Sequence, residues 1–194
     1  MKRAFDFVCA LCGLIALSPL FIIVSLCVWI SSKGSVFYTQ KRVGKGNKDF
    51  SIYKFRSMRV GADKKGLLSF GRAGKDRRVT TIGYIIRKYK IDELPQLFNV
   101  LKGDMSFVGP RPEVRKYVLL YTPEQKRVLD VRPGITDVAS IAFANENDIL
   151  SKHYNPEQYY IDVIMPKKIE MNLDYIDHRS LRKDIKIILR TLFV

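Results

Sequence analysis

Residues 90–112, KIDELPQLFNVLKGDMSFVGPRP, decide how the rest of the chain is read. Leu94, Leu97, Phe98 and Leu101 recur at i, i+3, i+4 and i+7, the spacing of one buried helical face. Asp92 is placed as an N-cap, Pro95 is tolerated in the first turn, and Gly103 suits the end. Two adjacent carboxylates, Asp92 and Glu93, thus open a helix, and Pro110-Arg111-Pro112 stiffens the backbone around one guanidinium beyond it. Two readings stay open here. The carboxylates either cap a helix or do chemistry. A helix start favours negative charge, which keeps a carboxylate ionised and attracts phosphate. Carboxylates working beside phosphate need cations, which Arg111, Arg87 and a divalent metal would supply.

Upstream, Thr80-Thr81 offers the N-cap of a helix with Ile82, Ile85, Ile86 and Tyr89 at helical spacing. Arg87, Lys88 and Lys90 make it basic, and it runs straight into Ile91-Asp92-Glu93. Residues 61–78 are rich in Gly, Lys and Asp and predict a loop. Before them, VFYTQ and FSIYKF are rich in aromatic and β-branched residues, with Gly44 and Gly46-Asn47 between them, and predict a short β-hairpin. Lys54 and Arg56 alternate with Tyr53 and Phe55, so both project from one face, as phosphate contacts or as a solvated edge.

From Phe7 to Ile30 the chain carries 24 consecutive uncharged residues. A membrane span needs about 20. Ser18-Pro19 lies at the midpoint, where proline deletes a helical hydrogen bond. Lys2 and Arg3 precede the run, and Lys33, Lys41, Arg42, Lys45 and Lys48 follow it. Basic flanks prefer the cytoplasmic side. Both a kinked span and a helix that dips in and returns satisfy these constraints, and either places the globular part in the cytoplasm. Cys9, Cys12 and Cys27 all lie in this run and read as small apolar residues rather than a metal or redox motif.

Downstream, Val131-Arg132-Pro133-Gly134 marks a second turn, and Pro156 opens a helix carrying Tyr159, Tyr160, Val163 and Ile164. Near the C-terminus Leu181, Ile185, Ile188, Leu189 and Leu192 share a face ringed by Arg182, Lys183, Lys186 and Arg190. Such a helix either packs on the core or lies on anionic lipid. His153 and His178 have no metal-ligand spacing. At 194 residues the chain holds one core of its own, and a net charge of +15 calls for an anionic partner.

The chain resembles the small bacterial monotopic phosphoglycosyl transferases, which begin lipid-linked glycan assembly. The likeness is carried by the apolar run with Ser18-Pro19, by YTQKRVGKGNKDFSIYKFRSM, by DELPQLFNVLKGDMSFVGPRPE and by RPGIT. It implies transfer of a sugar 1-phosphate from a UDP-sugar to undecaprenyl phosphate, with release of UMP. It implies that Asp92 attacks the donor β-phosphate to form a covalent phosphosugar–aspartyl intermediate, that Mg2+ sits at the Asp92–Glu93 pair, and that Glu93 helps to hold it or positions the reacting groups. Arg111 and Arg87 match phosphate-holding positions, with Lys54, Arg56 and Arg132 as further contributors. The Ser18-Pro19 break corresponds to a re-entrant turn.

The expected architecture is accordingly α+β and predominantly helical, in two parts. Residues 1–32 form a re-entrant membrane helix. Residues 33–194 form a catalytic domain at the cytoplasmic face of the bacterial inner membrane, with a short β-hairpin and amphipathic interfacial helices. Anionic membrane lipid is the expected surface and downstream glycosyltransferases are possible partners, with no role for nucleic acid. The competing reading is a non-catalytic, membrane-tethered basic protein that binds anionic lipid or nucleic acid. One segment departs from the family. After RPGIT the relatives often continue Gly-x-Ala-Gln-Val-Asn-Gly-Arg, where this chain has DVASIAF over Asp137–Phe143, which leaves the donor sugar open.

Overall fold

The computed structural model describes residues 2–62 and 77–193. Most of the loop expected over 61–78 lies outside the described residues. The chain opens with α1 (Lys2–Ala16) and α2 (Ser18–Ser31), bent by 62° at the break between them. Among the described residues no single helix is long and apolar enough to cross a membrane, whereas the bent pair together reaches that length and composition. The break has a local cause. Pro19 has no N–H to offer the Ile15 carbonyl, and the Ser18 hydroxyl donates to that carbonyl instead, at 2.8 Å.

The hairpin forms as expected from β1 (Phe37–Val43) and β2 (Asp49–Phe55), which are antiparallel with Phe37 opposite Phe55 and Val43 opposite Asp49. Gly46 and Asn47 turn the chain with φ of +67° and +61°. Helix α3 (Thr81–Lys88) starts where the sequence places it, with the Thr80 hydroxyl accepting from Gly83 N at 2.9 Å. Helix α4 (Gln96–Lys102) ends at Gly103, whose φ is +91°. Its start differs from expectation. Asp92 and Glu93 lie in a separate 3-10 turn, Ile91–Glu93, after a left-handed Lys90, and Asp92 makes no capping bond. The inward face is also rotated. Leu97, Val100, Gln96 and Asn99 are buried, while Phe98 is 40% exposed and meets Phe21 of α2 edge-on. Asn99 explains the rotation: Tyr53 N donates to its Oδ1 at 3.0 Å, and its Nδ2 donates to Ser51 O at 2.8 Å. The amide thus clamps α4 along β2.

Two three-residue strands, β3 (Ser106–Val108) and β4 (Gly134–Thr136), pair in parallel, with Ser106 opposite Gly134 and Val108 opposite Thr136. Two glycines permit the approach. A Cβ on Gly109 would stand 2.4 Å from Arg132 O, and one on Gly134 only 2.2 Å from Gly109 N. This contact seats the Pro-Arg-Pro segment against the Arg132-Pro133-Gly134 turn.

The rest is helical: α5 (Arg115–Val118), α6 (Val138–Ala142), α7 (Glu146–Leu150), α8 (Pro156–Tyr159), α9 (Met165–Asp177) and α10 (Leu181–Thr191). A π turn over Tyr160–Ile164 joins α8 to α9 without a break. Val114, Tyr117, Val128, Leu150, Ile164 and Ile169 build the main core. Each fully buried aliphatic side chain of this kind contributes roughly 1.5–3 kcal/mol. The apolar helix pair joins two smaller clusters, through Ala10 beside Leu97 and Val100, and through Val24 and Val28 beside Phe55 and Ile86. On α10, Ile187 is buried, whereas Leu181, Ile185 and Leu189, with Leu192 just beyond its end, stay exposed.

Candidate active site

The site forms where β2, the 3-10 turn before α4 and the Pro-Arg-Pro segment meet. Lys54 donates to Glu93 Oε1 at 2.7 Å. Arg111 donates through Nη1 to Glu93 Oε2 at 3.2 Å and through Nη2 to Oε1. Both carboxylate oxygens of Glu93 are thereby occupied, by a fork geometry suited to a carboxylate. Asp92 differs. No hydrogen bond or ion pair joins it to another described residue, while the charges of Lys54, Arg87 and Arg111 act on it from nearby.

The two acids titrate in opposite directions. Burial pushes Asp92 up to about 6, with Glu93 adding to the rise, and Lys54, Arg87 and Arg111 only partly opposing it. Burial presses Glu93 upward too, but the Arg111 and Lys54 charges and hydrogen bonds hold it well below the usual range. Burial lowers the Lys54 ammonium, with Glu93 resisting. The Glu93 charge raises the Arg111 guanidinium against its own desolvation. One carboxylate is therefore locked as a counter-ion, and its neighbour is left poised. Perturbed pairs of this kind gather at reactive sites.

Arg87 brings an unused donor. Its Nη1 is buried and has no partner among the described residues. A buried guanidinium nitrogen left unpaired is costly, and an anionic ligand removes the cost. Two other expected contributors point elsewhere. Arg56 is buried and donates to Ser32 O at 2.6 Å, just past the end of α2. Arg132 donates through Nε to Gly103 O at 2.8 Å, capping α4. The structure brings Lys54, Arg87 and Arg111 to the dyad and does not bring Arg56 or Arg132. Nothing at the sequence level separated these groups, because a carbonyl partner leaves no pattern.

For a divalent metal, the donor set is sparse. Among the described residues no three His, Cys, Asp or Glu side chains gather as a cage. Mg2+ is commonly held by one or two carboxylates together with substrate phosphates and water. Asp92, whose carboxylate has no partner among the described residues, fits that arrangement, while Glu93 is already engaged by two cations.

Sequence reasoning missed Asn99 and gave Asp137 only as part of a divergent stretch. Asp137 is fully buried, and its Oδ2 accepts from Arg111 N at 2.8 Å. The signal for Asp137 was that departure itself.

Comparison with known proteins shows the family. The model of the family described as bacterial sugar transferase matches residues 1–194. An Aeromonas hydrophila protein named UDP-N-acetylgalactosamine-undecaprenyl-phosphate N-acetylgalactosaminephosphotransferase is 40% identical over 99% of this chain and 43% of its own length. The Escherichia coli UDP-glucose:undecaprenyl-phosphate glucose-1-phosphate transferase is 36% identical over 100% of this chain and 39% of its own. The exopolysaccharide production protein ExoY of Sinorhizobium fredii is 34% identical over 98% of this chain and 83% of its own. The chain thus spans less than half of the two named transferases and most of ExoY. A match that runs the full chain, dyad and Pro-Arg-Pro segment included, places this protein in the bacterial sugar transferase family.

Proposed function

We propose that the protein transfers a sugar 1-phosphate from a UDP-sugar to undecaprenyl phosphate at the cytoplasmic membrane face, in capsule, exopolysaccharide, O-antigen or glycoprotein assembly. The observation that carries this is the split dyad: Glu93 is neutralised by Lys54 and Arg111, and Asp92 beside it has no partner among the described residues. A carboxylate kept free among cations is suited to attack a phosphoanhydride, because the cations screen the approach of two anions.

In the first step an Asp92 oxygen attacks the β-phosphorus of the donor. A P–O bond forms, the bond to the bridging oxygen breaks, and UMP leaves with the electron pair. In the second step a phosphate oxygen of undecaprenyl phosphate attacks the same phosphorus. The Asp92 carboxylate departs and the product is a lipid diphosphate sugar. Arg87 and Arg111 hold phosphate oxygens, and Lys54 keeps Glu93 in place. Asp92 would hold Mg2+ together with substrate phosphate, and the ion would supply charge neutralisation there. Covalent capture lets a water-soluble donor and a membrane-bound acceptor arrive separately.

The membrane part of the reading rests on how both ends of the bent pair are held. Lys2 pairs with Asp184 and Arg3 donates to Leu101 O at 2.9 Å, while Arg56 holds Ser32 O at the other end. Both ends are tied to one globular body, which suits a pair that enters and returns on the same side. The exposed Leu181, Ile185 and Leu189 of α10, with Leu192 just beyond its end, suit contact with lipid. The named relatives differ in sugar, one acting on N-acetylgalactosamine and one on glucose, so the donor is not carried over.

The test is UMP release by the detergent-solubilised protein over a panel of UDP-sugars, with Mg2+ and undecaprenyl phosphate. Release with one donor, and a protein-bound label from the β-32P form of that donor, supports the reading. No release with any donor sinks it.

A further inference from the structure

We propose that Asp137 is a positioning residue that fixes the Arg111 peptide, and through it the guanidinium on Glu93. The inference rests on the assignment of Arg111 to the reactive site. Asp137 is the N-cap of the five-residue helix α6, its Oδ1 accepting from Ser140 N. That bond needs one oxygen, and a surface Ser or Asn provides it at less desolvation cost. Asp137 instead is fully buried, and Oδ2 reaches back to Arg111 N at 2.8 Å. Asn172 of α9, itself buried, donates to the same Oδ2 at 3.2 Å and holds the carboxyl group in that orientation.

The segment around Arg111 has few other degrees of freedom. Prolines on both sides restrict its backbone. Gly109 N donates to Thr136 O at 3.1 Å, and Arg42 donates to Pro112 O at 3.1 Å. Between these two, Pro110 O accepts from Gly134 N at 3.0 Å, and Asp137 supplies the tie at Arg111 itself, the residue whose side chain matters. A cavity of about 30 Å3, lined by Arg111, Asp137, Glu113, Tyr160 and Asn172, adjoins the loop and gives it room to shift once the carboxyl is removed. Arginine is a long lever, so a small peptide rotation becomes a large displacement at Nη. A misplacement of about 1 Å at a reacting centre costs about 100-fold.

Two measurements test this on the full chain in detergent. The first needs no activity: the rate of phenylglyoxal modification at Arg111, followed by peptide mass spectrometry. Arg115, whose side chain is 37% exposed against 36% for Arg111, is the internal reference. Asp137→Ala is expected to speed modification of Arg111 at least threefold and leave Arg115 unchanged, with Asp137→Asn between. Asp184→Asn, a buried acid on α10, controls for general loosening. Equal rates at Arg111 in wild type and variants, or an equal rise at both arginines, overturns the proposal. If Asp137→Ala does not fold, Asp137→Asn decides on the same criterion. The second measurement is a double-mutant cycle on kcat/KM for UMP release. Asp137→Ala is expected to cost 10- to 100-fold alone and nothing beyond twofold on top of Arg111→Ala, because it acts through that residue. Additive losses overturn the proposal. An inactive wild type removes the functional reading and leaves the phenylglyoxal comparison to decide Asp137.

Discussion

Arg111 directs both Nη atoms at Glu93 and leaves Asp92, one residue earlier, without a hydrogen bond or ion pair to any described residue. Adjacent acids of the same turn are thereby given different work. Asp92→Asn removes the carboxylate that attacks in the proposed mechanism. UMP release is expected to fall by at least about a thousandfold, and label transfer to the protein is expected to vanish. Glu93→Gln keeps the nucleophile but strands Lys54 and Arg111. We expect kcat to fall 10- to 100-fold and stability to drop by about 2 kcal/mol, between the scale of exposed pairs and that of fully buried ones broken on one side. Rate assays and urea melts on both variants check this. Similar stability loss in both would contradict the division.

The shift of Asp92 to about 6 sets a pH dependence with a definite sign. Attack needs the ionised form, so activity is expected to fall about tenfold per unit below pH 6. Stability runs the other way. Because the fold raises this group above its ordinary 3.8, it favours the protonated form, and the resulting stability is full below about pH 4 and is lost as pH rises through 6. Asp92→Asn should therefore melt higher than wild type at pH 7.5, with the difference shrinking toward pH 4. Thermal melts in the presence of chelator, to keep metal off the carboxylate, measure it. A constant difference across that range rules out the shift.

Gly134 is required by space, not by backbone conformation. Its added Cβ would meet Gly109 N at 2.2 Å, a backbone atom that cannot swing aside. Gly134→Ala is expected to cost about 3 kcal/mol and to disturb the Pro-Arg-Pro segment along with it. Gly46 offers the contrast. It has φ of +67° but nothing within 4 Å of a Cβ, so Gly46→Ala should cost only about 1 kcal/mol. Circular dichroism melts of the two variants separate steric from conformational cost.

How far the sequence carried differs by kind of interaction. The hairpin, the Thr80 cap, the Gly103 stop and the dyad with its Pro-Arg-Pro partner were legible, because each depends on local residue types at fixed spacing. The β3–β4 pair was not, since strands of three residues far apart in sequence carry no periodicity. The inward face of α4 was misjudged because a polar residue, Asn99, sets it by bonding the edge of β2. Asp92 stands where a cap or a reactive acid would both fit, and the capping alternative fails because Lys90 turns left-handed and sends Asp92 into a separate turn. The arginines divided by partner: Arg87 and Arg111 gather at the dyad, while Arg56 and Arg132 bind backbone carbonyls.

The last expectation concerns the bent pair. Lys2 and Arg3 are tied to α10 and α4, and Ser32 is tied to Arg56 after β2, so the ends of α1 and α2 are held by one body. A bilayer cannot pass between ends fixed in this way without breaking those bonds. Lys33 and Ala4 are exposed near the two ends, and Ser18 is exposed at the break. With Cys9, Cys12 and Cys27 replaced by Ser, single cysteines at positions 4 and 33 should both react with a membrane-impermeant maleimide in inside-out vesicles, and neither in spheroplasts. A cysteine at position 18 should stay unlabelled in both, because the proposed re-entry puts the apolar turn in the hydrocarbon, where neither reagent nor water enters. Labelling of positions 4 and 33 from opposite sides would mean that the pair crosses, and the ties at Lys2, Arg3 and Ser32 would then have to break in the membrane.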